Sequence, residues 1–164
     1  MNKKALLPGQ VLAFIIAGII FVLVLGFGYK AISDMLKGAS DIGVAELKTD
    51  LESAVESTKR SFGSVRKIEL RSPKEIDELC FFDYDKCGSL STPVSFDGKP
   101  LDWAVRACQA KSANVFSIPR LLDLSLVDVK VDDGFVCVPN VGGIVTIKLV
   151  GRGDHVLVDE WSFE

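Results

Sequence analysis

Residues 5–29 carry no charged side chain, and the stretch 11–28 (VLAFIIAGIIFVLVLGFG) is almost purely apolar. A helix rises 1.5 Å per residue, so roughly 20 such residues cross the ~30 Å hydrocarbon layer of a bilayer. Such a segment belongs in lipid, and the membrane bilayer is the first expected partner. The rest of this 164-residue chain is then tethered to a membrane. The run is longer than the roughly 7–15 apolar residues of a cleaved secretory signal. Its exit, Gly26-Phe27-Gly28-Tyr29-Lys30, has no A-x-A-like site, so it reads as a retained anchor. Lys3, Lys4 and the free amino terminus precede the span, whereas Lys30 and Lys37 beyond it are offset by Asp34 and Asp41. This bias favours a cytoplasmic amino terminus and an extracytoplasmic carboxy-terminal domain.

All 22 acidic residues follow the span. With Lys3, Lys4 and Lys30 set aside, 16 basic residues remain, so this part has a formal charge of about −6. That sign disfavours nucleic acid as a partner. The four cysteines, Cys80, Cys87, Cys108 and Cys137, all lie on the side expected to be outside. In an oxidising compartment they read as two disulfides, with three connectivities open. Cys80 and Cys137 sit in apolar, strand-like runs and Cys87 and Cys108 in more polar ones, which favours Cys80–Cys137 with Cys87–Cys108. The main rival is Cys80–Cys87 with Cys108–Cys137. Zinc needs clustered ligands such as C-x2-C, and these gaps are far wider.

The hydrophobic period divides the chain into a leader (1–8), a transmembrane helix (9–30), an amphipathic stem helix (31–64) and a domain (65–164). Gly38 and Gly43 are expected to loosen the helix, with Asp41 capping a second stretch to about Phe62. There Leu47, Leu51, Ala54, Val55 and Phe62 recur at three- and four-residue steps, giving one apolar stripe. Such a stripe packs against its own domain or bundles with neighbouring helices, and the first is favoured. Strands are predicted at 65–70, 78–84 and, briefly, 94–96, and a helix at 101–110. Four runs, 126–131, 135–138, 144–150 and 155–161, are joined by short linkers rich in Gly, Asp, Asn and Pro, which predicts an antiparallel four-stranded meander. The fold class is therefore α+β: a membrane helix, an amphipathic stem helix and a mainly antiparallel sheet.

No motif for catalysis or for a cofactor stands out. Arg152-Gly153-Asp154 is the triplet of some adhesion ligands, but it falls at a predicted hairpin tip where turn geometry alone selects Gly and Asp. His155 is the only histidine, without a local nucleophile. Gly142-Gly143 precedes a strand, not the helix that a phosphate cradle requires. Asp132-Asp133 and Asp159-Glu160 are close acidic pairs, too few in oxygens for a calcium loop. No catalytic residue, cofactor or metal site is assigned, and the expectation is a protein that is not an enzyme. In the span, Ala13, Ala17 and Gly18 form a small-residue face suited to lateral packing.

Lys3-Lys4 followed by Pro8-Gly9-Gln10 and one long apolar helix resembles archaeal type IV pilin-like proteins with class III signal segments. Leu12 and Phe14 stand where that family's pattern has Ser and Glu. The resemblance implies processing at Gly9, a new start at Gln10, and self-association through the transmembrane and stem helices. Three functional expectations follow. The first is a single-pass protein with a structural or binding role at the cell surface. The second is a pilin-like filament subunit, and the third an anchored enzyme that uses His155 or the cysteines.

Overall fold

The computed structural model describes residues 8–90 and 93–161, the side chains of 8–11 and 33–41 excepted. Lys3 and Lys4 lie outside the described residues. The fold is α+β. Helix α1 (Pro8–Lys59) precedes β1 (Val65–Arg71), β2 (Glu78–Phe82), α2 (Asp102–Gln109), β3 (Val115–Ile118), β4 (Asp123–Leu124), β5 (Val129–Lys130), β6 (Phe135–Val141), β7 (Ile144–Gly151) and β8 (Val156–Glu160). The chain divides into two compact units at residues 39/40.

In the first unit the 21 residues Leu12–Ile32 form a helix long and apolar enough to cross a membrane. Their large side chains are exposed on every side; Phe14 and Phe27 are 74% and 72% exposed. In water this would leave a cylinder of hydrocarbon unsatisfied, and lipid is the solvent that fits it.

In the second unit, α1 from residue 40 onward lays Leu47, Leu51, Val55 and Thr58 into the core, one helical face by spacing. Lys48, Glu52 and Glu56 stay outside. The expected loosening at Gly38 and Gly43 does not occur, because α1 is continuous. Gly43 instead allows a close approach: a Cβ there would lie 3.0 Å from Cγ of Pro73. Helix α1 ends at Lys59, whose ammonium meets Asp128 at 2.8 Å, and Gly63 turns the chain with φ +74°. The same end is fastened to β7. Gly63 N–H donates to Gly151 O at 2.8 Å and Gly151 N–H to Ser64 O at 2.9 Å. A Cβ at 151 would run into the carbonyl oxygens of Thr58 and Ser61, so only glycine fits where the helix meets the strand.

The strands form one branching sheet in the order β4-β3-β2-β6-β7-β8-β5, with β1 on the other edge of β7. β7 alternates strictly, with Val145, Ile147, Leu149 and Gly151 buried toward α1 and the residues between them facing out. β2 behaves differently, being buried along its whole length. Leu79 and Phe81 face the α1 core, whereas Cys80 and Phe82 face a second core built with α2. That cluster is largely aromatic: the Phe82 ring lies 5.7 Å from Phe116 and 5.8 Å from Phe135, and Trp103 lies 5.1 Å from Phe116.

The carboxy-terminal strands are a meander in part. β6, β7 and β8 are consecutive antiparallel neighbours, but the run expected at 126–131 supplies only β5, which pairs in parallel with β8 at the far edge. The reason lies in β6. Its residues Phe135–Pro139 pair with β2, and only Asn140 and Val141 reach β7. Beyond that point β8 takes the same side of β7, because β1 holds the other side from Ile144 to Val150. The short strand expected at 94–96 is a single bridge, Val94 to Pro100. β3 and β4 lie in a segment for which no strand was read from sequence.

Candidate functional site

Cys80 and Cys137 face each other directly in the β2–β6 register and are bonded, with Cα atoms 4.0 Å apart. Cys87 and Cys108 are bonded with Cα atoms 6.1 Å apart, tying the turn after β2 to the last turn of α2. Each bond sits in the α2 core, and no cysteine is free. Glu78, Cys80 and Cys137 bring three potential ligand atoms within 4.8 Å of one another, but the two sulfurs are spent on each other and offer no thiolate. The buried Glu78 carboxylate accepts instead from the backbone N–H of Phe96 at 3.1 Å, holding the 93–100 loop against β2.

The sequence candidates of the 152–155 turn lie together on the surface. Arg152, Gly153 and Asp154 are exposed, and Gly153 has φ +90°, the left-handed value that the turn demands of glycine. His155 Nδ1 is 2.7 Å from Asp154 Oδ1. The Asp154 carboxyl is held below the ordinary carboxylate range, first by its own backbone N–H and then by the His155 hydrogen bond. Among the described residues no hydroxyl or thiol hydrogen-bonds to this pair, so the geometry supplies a base without a nucleophile. Gly142 and Gly143, with φ +66° and +88°, make the two-residue hairpin loop between β6 and β7.

The acidic pairs are engaged in different ways. Lys86 Nζ donates to the backbone oxygens of Asp132 and Val131, at 2.6 and 3.3 Å. Asp159 is 3.9 Å from Lys148. Asp132, Asp133 and Asp159 share a cavity of about 360 Å³ with Lys148 and Arg152, a mixture of signs. Another surface pair binds strand to loop: Lys130 meets Asp85 at 2.7 Å, and that hydrogen bond chiefly holds the Asp85 carboxyl below its usual range. Ala13, Ala17 and Gly18 fall within the exposed apolar helix, and Gly9 and Gln10 in its first turn.

Two features were not singled out from the sequence. Asn114 is buried. Its amide donates to the carbonyl oxygens of Phe82 and Leu126 at 3.1 and 2.9 Å, and its Oδ1 accepts from Leu126 N–H at 2.7 Å. This joins β2 to the segment before β5, a role that no local pattern announces. The second is a groove of about 360 Å³ lined by Glu69, Val138, Pro139, Val141, Ile144, Thr146, Glu160 and Trp161. It opens where β6 parts from β7 and β8 enters, so its walls come from four strands. A tryptophan directly after the acidic pair 159–160 was the available signal. No protein-family model, no curated protein and no solved structure matches this chain.

Proposed function

We propose that this is a single-pass membrane protein whose disulfide-bonded α+β domain stands outside the cytoplasm and has a structural or binding role rather than a catalytic one. The observation that carries it is the helix Leu12–Ile32, apolar and exposed on every side. Two buried disulfides in the following domain fit an oxidising compartment. The expected result is that the protein stays with the membrane pellet after alkaline carbonate extraction. Protease added to intact cells is then expected to digest the domain. Release into the carbonate supernatant, or a domain cut only after permeabilisation, would overturn the reading.

A second reading, a pilin-like subunit, is favoured by Gly9-Gln10 at the head of a helix that continues to Lys59. Intact-mass spectrometry of the purified protein decides it. A chain starting at Gln10 supports processing and contradicts simple anchoring; an intact Met1 contradicts processing.

A further inference from the structure

We infer that the outer edge of β1 pairs, antiparallel, with the same edge of a second copy of this chain, in the register centred on Ile68. β1 is seven residues long, and β7 is its one strand partner among the described residues. Ser72 N–H donates to Gly143 O and Gly151 N–H to Ser64 O, each at 2.9 Å. In the β1–β7 register these bonds mark the even-numbered residues of β1 as the ones tied to β7. The N–H and C=O groups of residues 65, 67, 69 and 71 therefore point away from β7, along the outer edge. A row of such groups is a template for another strand.

The strand Val65-Arg66-Lys67-Ile68-Glu69-Leu70-Arg71 is self-complementary in one register. With Ile68 opposite Ile68 of the second copy, the whole strand is paired, and Lys67 and Glu69 each face the opposite charge across the two-fold axis. The facing residues are odd with odd, so their edge-facing backbone groups meet. Lys67 and Glu69 already lie 2.7 Å apart on one face of their own strand. Pairing sets each between two opposite charges. Moving the second strand by two residues puts Lys67 against Lys67 or against Arg71. Basic side chains blunt an edge against arbitrary partners, and here they also select the register. On the other face, the half-buried Ile68 gains an apolar neighbour. Helix α1 passes Pro73 at Gly43 and Gly151 at Thr58, so it runs opposite to β1. The two-fold axis then directs the residue-40 ends of the two copies oppositely. Such a pair suits copies anchored in facing membranes, and it differs from side-by-side bundling of spans.

The test uses the full-length protein in a density-matched non-ionic detergent, with dimerisation measured by sedimentation equilibrium. Lys67→Glu or Glu69→Lys alone turns two attractive cross-strand pairs into two repulsive ones. Each is expected to weaken dimerisation about ten-fold, and the double exchange Lys67→Glu/Glu69→Lys to return it to within about three-fold of the unaltered chain. Both side chains are exposed, so these variants keep the fold. The register is read by cross-linking. All four native cysteines are bonded, so a cysteine introduced at 68 is the one free thiol. Directly opposite residues of a pair without mutual hydrogen bonds lie about 4.5 Å apart at Cα, so under mild oxidation Ile68→Cys is expected to give a covalent dimer. Arg66→Cys, which faces Leu70 in this register, is expected to stay monomeric. A monomer at every concentration, dimerisation unchanged by the single reversals, a double exchange that restores nothing, or equal cross-linking at 66 and 68 would each overturn the inference. It deepens the binding reading above and rests on it for its setting. Measured on solubilised protein, it can fail while the membrane topology stands.

Discussion

Replacing Cys80 and Cys137 together by alanine is expected to lower the stability of the 40–164 unit by about 4 kcal/mol, the largest effect of any paired change. The bond closes a loop spanning 57 residues. Cross-linking removes loop-closure entropy from the unfolded chain, and for that length the chain-entropy relation gives about 4 kcal/mol at 25 °C. Removing Cys87 and Cys108, which are 21 residues apart, should cost about 3 kcal/mol by the same relation. Small domains have total stabilities of roughly 5–15 kcal/mol, so the first change brings this unit close to unfolding. The measurement is denaturant unfolding in detergent, followed by tryptophan fluorescence. Unaltered protein under reducing conditions should fall below either pair variant. A loss under 1 kcal/mol for the Cys80–Cys137 pair, or a larger loss for the shorter loop, would contradict the account. Cys80 and Cys137 also stand opposite each other in register, so the bond secures the pairing of β2 with β6 on which both cores depend.

Phe81→Ala is expected to cost about 3–5 kcal/mol, the range for truncating a fully buried aromatic. Phe81 is completely buried beneath α1, in contact with the cluster that holds Leu47, Leu51 and Ile147. Phe62→Ala is the matched control. That ring is 79% exposed, and its loss should change stability by no more than about 0.5 kcal/mol. Comparing the two denaturation midpoints checks the assignment of the core. Similar costs at both positions would mean that the α1–sheet contact has been misread.

Phe81 and Phe62 also mark how far the sequence could be read. Phe62 falls on the helical stripe with Leu47, Leu51 and Val55, so periodicity places it inward. It lies outward because α1 stops at Lys59, three residues earlier, and the chain leaves the helical path at Gly63. The Leu-Cys-Phe-Phe run, by contrast, is apolar at every position. That signals a strand covered on both faces, and β2 is one. Gly43 shows the opposite limit. A glycine within a helix reads as a weak point, yet this one leaves space for the Pro73 ring, a contact between residues thirty positions apart. The groove was the least legible element. Glu69, Val138 and Ile144 come from three separate strands and Trp161 follows a fourth, and no local spacing relates them.

Local chemistry alone determined the long apolar helix, the α+β class, the tight glycine turns and the apolar settings of Cys80 and Cys137. Charge-free length, two-residue alternation and turn geometry are properties of neighbouring residues, and they act before any long-range contact forms. Tertiary structure decided that β5 runs parallel to β8, that β6 serves two cores, and that Glu69, Pro139 and Trp161 line one groove. Strand partners are chosen by which edges remain open once β1 and β2 have paired. That competition among distant segments leaves no trace in any short stretch of residues.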